Sequence, residues 1–127
     1  IGRPRVEASF VPGVLDAMVK VPDRWSLAAM HVLSRRLGRR VGGSTGTNLV
    51  ASLVCAHRMV QAGQQGSIVT LLCDDGERYR STYYDPAWMQ AQSLASPEAE
   101  AAVEALVARG EGGDVLEAAV LRAGGLA

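Results

Sequence analysis

Seven consecutive residues, Ser67 to Cys73 (SIVTLLC), carry no charge, no proline and no glycine. A short run this apolar suits a strand buried on both faces, as in a parallel sheet with helices above and below. Asp74-Asp75-Gly76 breaks it. Upstream, Val14 to Val21 (VLDAMVKV) alternates loosely and stops at Pro22-Asp23, a short strand followed by a helix start with Asp23 as N-cap. Leu27, Met30, Leu33 and Leu37 then recur at helical spacing, and Gly38 supplies the stop. After the short extended Arg40-Val41, a glycine-rich segment from Gly42 to Asn48 (GGSTGTN) opens a second helix, with Leu49, Leu53, Ala56 and Val60 on one stripe and an end at Gly63. Strand, helix, short strand, glycine loop, helix, strand is the order of an α/β layer, here part of a parallel-sheet domain.

Beyond Pro86 the texture turns helical. Ser96-Pro97 pairs a capping serine with proline at the first helical position, and Gly110 ends that helix. Asp114-Val115-Leu116-Glu117 has the spacing of a capping box and opens a last helix ending near Gly124-Gly125. The chain thus reads as an α/β segment followed by a helical C-terminal extension.

At 127 residues the chain makes one modest domain. Its 13 basic and 13 acidic side chains cancel, which argues against general nucleic-acid binding, since phosphates demand a basic excess. No apolar run approaches the ~20 residues of a membrane helix, and no signal peptide opens the chain. Two widely spaced cysteines, Cys55 and Cys73, form no disulfide framework and point to a reducing, cytoplasmic setting. Beginning on Ile1 rather than Met, the chain reads as a fragment or processed product.

Ligands of open parallel sheets sit outside the carboxyl ends of the strands. Two loops belong there: Gly42 to Asn48 and Cys73 to Glu77. The first offers free N–H groups at a helix start and the hydroxyls of Ser44, Thr45 and Thr47. On spacing alone it is either a phosphate-holding loop or a tight turn with capping hydroxyls. It is not a Walker loop, because no Gly-Lys-Ser/Thr follows. Other candidates carry less. His31 and His57 lack partners at ligand spacing and read as structural. Cys55 reads as a small buried residue and Cys73 as packing. Arg35, Arg36, Arg39 and Arg40 form a solvated face, and the acids Asp74, Asp75 and Glu77 do not reproduce a calcium loop, so no metal is expected. Tyr79, Tyr83, Tyr84 and Trp88 read as packing.

Several blocks, in order, carry more information than any one of them: Ile1-Gly2; Phe10-Val11-Pro12 with Leu15-Asp16; Gly42-Gly43-Ser44-Thr45-Gly46; Asp74-Asp75-Gly76-Glu77-Arg78-Tyr79 with Ser81-Thr82; and Asp85-x-x-Trp88. Together they resemble the carboxyl-terminal third of the cysteine synthase and cystathionine β-synthase family, the fold-type-II pyridoxal-phosphate enzymes, over roughly residues 1 to 92. The extent of this resemblance, and not texture, sets the division into the α/β segment, 1–92, and the helical C-terminal extension, 93–127.

The resemblance implies pyridoxal 5'-phosphate as cofactor, with Ser44 hydrogen-bonding its pyridine nitrogen, Gly42 and Gly43 allowing close approach, and Asp74 closing the adjacent wall. Gly2 matches a loop bordering the amino-acid substrate. An aspartate in place of Ser44 would keep the nitrogen protonated, whereas a neutral hydroxyl makes a weaker electron sink, adequate for expelling a β-substituent. The implied activity is β-elimination or β-replacement on serine- or cysteine-type amino acids. An L-cysteine desulfhydrase releasing sulfide and a noncatalytic interaction module keeping the fold are the alternatives. A homodimer is implied as well. The family's cofactor-anchoring lysine, its asparagine loop and its phosphate cup match nothing in this chain and are expected upstream of Ile1. Lys20 (the single lysine) falls in no such block and reads as an exposed charge, so no catalytic residue is expected here. The chain departs from the pattern in the long link Arg3 to Ser9, in Cys73 where proline is frequent, and in Asp75 where serine is usual.

Overall fold

The computed structural model describes residues 5–122. Helix α1, Asp23–Leu37, begins directly after Pro22, whose extended backbone makes it the N-cap. Asp23 lies one position inside the helix, near the positive end of its dipole, rather than at the predicted cap. Gly38 ends the helix in the left-handed conformation, φ 67°. Leu27 and Met30 are completely buried, Leu33 is partly so, and Leu37 is exposed.

Helix α2, Gly43–Gln61, buries a stripe one residue away from the predicted one: Gly46, Val50 and Val54 face inward. Leu49 and Leu53 are only partly covered, and Val60 is exposed. A small residue decides this register. A Cβ on Gly46 would lie 1.9 Å from the Ser26 carbonyl oxygen and 2.8 Å from the Met30 nitrogen. Only glycine admits that approach, so α2 turns the row beginning at Gly46 toward α1. The same rotation leaves Cys55, expected to be buried, exposed.

Short helix α3, Pro86–Ala91, is capped by Asp85, which accepts from the Ala87 N–H at 2.9 Å. Helix α4, Pro97–Arg109, starts as the sequence predicts, with Ser96 accepting from the Ala99 N–H, and stops at left-handed Gly110. Helix α5, Gly113–Arg122, follows. It packs on α2 while α4 packs on α1. One core therefore joins Ala29, Val32, Val50 and Val54 to Val103, Leu116 and Val120. Its margin is ionic. Asp114 and Glu117 do not close a capping box but reach across to α2: Asp114 Oδ1 is 2.8 Å from His57 Nε2, and Arg58 Nε donates to Glu117 at 2.5 Å. On α1, His31 Nδ1 is 3.0 Å from Glu100, His31 Nε2 is 2.7 Å from the Tyr83 carbonyl, and Arg35 donates to Glu100 at 2.8 Å. Burial opposes ionisation of Glu100, but the hydrogen bonds from His31 and Arg35 outweigh it and hold the carboxyl below its ordinary range.

The expected sheet does not form among the described residues. Their β-pairing includes an isolated antiparallel bridge, Val41 to Asp75. Val14 to Val21 makes no strand, and a 3-10 turn covers Pro12–Val14. Ser67 to Cys73 adopts no regular secondary structure and lies open, with Val69 91% and Leu71 71% exposed. A strand is defined by its neighbours' hydrogen bonds, and this stretch has no ladder partner among the described residues. No helix among the described residues is long and apolar enough to cross a membrane.

Candidate functional site

The two loops singled out in the sequence meet at the N-terminus of α2. Gly42 donates its N–H to the Asp74 carbonyl at 3.1 Å, and Gly76 donates to the Arg40 carbonyl at 3.3 Å, on either side of the Val41–Asp75 bridge. Tyr84 fixes Val41 from behind. Its hydroxyl donates to the Val41 carbonyl at 2.6 Å, accepts from the Val41 N–H at 3.0 Å, and lies 2.6 Å from Ser34 Oγ. Below the bridge, Asn48 Nδ2 donates to the Leu71 carbonyl at 3.2 Å and contacts Cys73 Sγ at 3.4 Å.

The three hydroxyls of the glycine loop separate cleanly. Thr45 is 2% exposed and its Oγ1 accepts from the Cys73 N–H at 2.9 Å. Thr47 Oγ1 lies 2.8 Å from Ser26 Oγ and 3.2 Å from the Gly43 carbonyl. Both are committed to holding α2 in place. Ser44 is exposed and its hydroxyl makes no hydrogen bond to the described residues. It sits in a first helical turn whose N-cap, Gly42, has no side chain to satisfy the leading amides. This end of α2 therefore presents a neutral hydroxyl, unbonded among the described residues, beside the positive pole of a helix of 19 residues.

Asp74 faces the same turn. Its Oδ1 is buried without a hydrogen-bond partner. A Cβ on Gly42 would lie 1.9 Å from that oxygen, so any side chain there would have to displace the Asp74 carboxylate. Tyr79 donates its hydroxyl to Asp74 Oδ2 at 2.5 Å, and Arg78 Nη1 stands 3.8 Å from the same oxygen. That hydrogen bond to a carboxylate, with some burial, raises the Tyr79 phenol above its ordinary pKa.

Of the residues expected at the site, Ser44, Gly42, Gly43 and Asp74 are brought together here, while Gly2 lies outside the described residues. Lys20 is exposed. Sequence reasoning treated Tyr79 and Tyr84 as packing. Tyr79 does stack on Tyr83, ring centroids 4.8 Å apart, but its hydroxyl serves Asp74. A local signal for this existed: Asp75 caps the 3-10 turn Gly76–Tyr79 by accepting from the Glu77 N–H, and that turn folds Tyr79 back onto Asp74. Tyr84 meets Val41 across 43 residues, and no local pattern announces such a contact. No group of three metal-ligating side chains occurs among the described residues.

Comparison with known proteins gives several related enzymes. The chain is 56% identical over 94 residues to L-cysteine desulfhydrase Cds1 of Mycobacterium tuberculosis, covering 74% of this chain and 26% of that enzyme. It is 37% identical over 89 residues to a cysteine synthase of Dictyostelium discoideum, covering 70% of this chain and 23% of the relative. It is 34% identical over 91 residues to the N-(2-amino-2-carboxyethyl)-L-glutamate synthase of Cupriavidus metallidurans, covering 68% and 27%. The chain thus spans about a quarter of the length of the curated relatives it matches. No family model and no solved structure matches it.

Proposed function

We propose, for a chain that belongs to the cysteine synthase family of fold-type-II pyridoxal-phosphate enzymes, that it supplies one wall of the cofactor site in an enzyme performing β-elimination or β-replacement on serine- or cysteine-type amino acids. The observation that carries this reading is the division of labour among the loop hydroxyls: Thr45 and Thr47 are bonded inward, and Ser44 is left unbonded among the described residues. In this reading Ser44 holds the pyridine nitrogen, Gly42 and Gly43 let the ring approach the backbone, and Gly2 borders the substrate. When bound, pyridoxal phosphate supplies the electron sink that lets a β-substituent depart.

The remaining chemistry of this wall is electrostatic. The Asp74 carboxylate is turned toward Gly42 and bonded by Tyr79, so the hydroxyl of Ser44 is the group offered to a ring nitrogen. A hydroxyl accepts or donates without imposing a proton, which suits elimination. Lys20, exposed and remote in sequence from the loops, is not cast as the anchor; the anchoring amine comes from outside this stretch. The open apolar run Ser67 to Cys73 supports the same picture, since it has the composition of a strand in a parallel sheet and would pair with strands supplied from elsewhere. A cytoplasmic homodimer belongs to this proposal. The free thiols of Cys55 and Cys73 agree with a reducing compartment.

Within this chemistry, sulfide release from L-cysteine is the second reading, favoured by the 56% identity to a desulfhydrase. Sulfide produced from cysteine with no added thiol acceptor supports it, and sulfide consumption by an activated serine supports synthesis. The site itself is tested by Ser44→Asp in the complete enzyme. Holding the nitrogen protonated is expected to slow elimination about tenfold, roughly 1.4 kcal/mol of barrier. Unchanged turnover at full cofactor occupancy would overturn the role of Ser44.

A further inference from the structure

We infer that Tyr79 is a positioning residue, which fixes Ser44 through Asp74 and Gly42 without itself touching the cofactor. The inference rests on the reading of Ser44 just given, and deepens it.

The chain of contacts is continuous. Tyr79 donates to Asp74 Oδ2 at 2.5 Å. The other carboxylate oxygen, buried and without a partner, lies against Gly42 at a place where a Cβ would sit 1.9 Å away. The Asp74 carbonyl accepts the Gly42 N–H at 3.1 Å. Gly42 is the N-cap of α2, and Ser44 lies two residues on. A buried carboxylate oxygen without a hydrogen bond is unfavourable and would turn toward solvent if free to do so. Tyr79 prevents the turn by holding the other oxygen. Stacking on Tyr83 and a cation–π contact with Arg78, 5.6 Å from the ring centroid, keep the phenol in place. The carboxylate is thus wedged beneath the first turn of the helix, and the wedge sets where Ser44 stands. The phenol's raised pKa means that the donating hydroxyl persists across the physiological range.

The test is Tyr79→Phe, which removes the hydroxyl and keeps the ring. Amide hydrogen exchange on the purified chain reads the wedge directly, without cofactor. The Gly42 N–H is expected to exchange about tenfold faster, while the core amides of Val50 and Val54 keep their rates. An unchanged Gly42 rate overturns the inference, as does an equal acceleration of the Val50 and Val54 amides, which would mean global loosening. Asp74→Asn gives a second arm, since the amide still accepts from Tyr79 but no longer presses a charge on Gly42; a Gly42 rate nearer wild type than in Tyr79→Phe is expected, and a faster one refutes the order of contacts. In the complete, cofactor-loaded enzyme, Tyr79→Phe is expected to shift the cofactor's visible absorption in the direction of Ser44→Ala, and the double variant to shift it no further than Ser44→Ala alone. Additive shifts would refute action through Ser44. If Ser44→Ala itself leaves the absorption unchanged, the cofactor reading fails, and the exchange data still decide whether the wedge exists.

Discussion

Replacing Gly46 by alanine tests the close backbone approach of α2 to α1. Two effects oppose one another. Alanine is the better helix former by about 1 kcal/mol. Its Cβ, however, would fall 1.9 Å from the Ser26 carbonyl oxygen, 2.8 Å from the Met30 nitrogen and 3.0 Å from the Met30 Cβ. The first two are backbone atoms of α1, so no rotamer change relieves them, and α1 must withdraw by about 1.5 Å to restore ordinary contact. That withdrawal loosens Ala29 and Val32 from Val50 and Val54, all at most 2% exposed. Overpacking of this kind costs about 3 kcal/mol at the upper end of its usual range. The net loss is about 2 kcal/mol, or roughly 8 °C in Tm for a chain of this size. Thermal unfolding followed by far-ultraviolet circular dichroism measures it. Gly13, around which a Cβ meets nothing within 4 Å, is the control, and its alanine variant should stay within about 0.5 kcal/mol of wild type. A Tm for Gly46→Ala equal to or above wild type would show that α1 and α2 do not cross as closely as described.

Glu100→Gln addresses the attachment of α4 to α1. Because the folded carboxyl titrates below its unfolded value, Glu100 contributes stability above the unfolded pKa and loses it as pH falls through the folded one. Wild type should therefore outlast the variant at neutral pH, and the two urea midpoints should converge below about pH 4; a constant gap would remove the ionic account. Lys20 is expected to stay unmodified when the chain is incubated with pyridoxal phosphate at the concentration that saturates the complete enzyme and then reduced with borohydride. Peptide mapping that finds stoichiometric cofactor on Lys20 would assign the anchor to this chain.

Local chemistry proved the most legible part of the sequence. Gly38 and Gly110 stop their helices, and Ser96 caps its own, because caps are settled by the few residues that form them. The α2 stripe was displaced by one because size was weighed over fit: Leu49 and Leu53 are the larger side chains, but Gly46 is the one that lets another backbone in. The sheet was not realised for a related reason. The Ser67 to Cys73 run has strand composition, but pairing depends on a neighbour's position, and a single segment holds no such information. At the site, the 42–48 and 73–77 loops do meet, but across an isolated antiparallel bridge and not at the ends of parallel strands as expected, and the separation of Ser44 from Thr45 and Thr47 depends on the depth to which each hydroxyl is buried. Asp114 and Glu117 had capping spacing, yet His57 and Arg58 on the neighbouring helix took both carboxylates.

The bare stretch from Ser67 to Cys73 is also expected to make this polypeptide self-associate as its concentration rises. Its side chains include Val69 and Leu71 standing in water, with neither a charge nor a proline to discourage a neighbour. Concentration then becomes a structural variable, because two copies can lay these edges side by side and bury what each exposes alone. A lysine at Val69 is the gatekeeper that would keep such a solution clear.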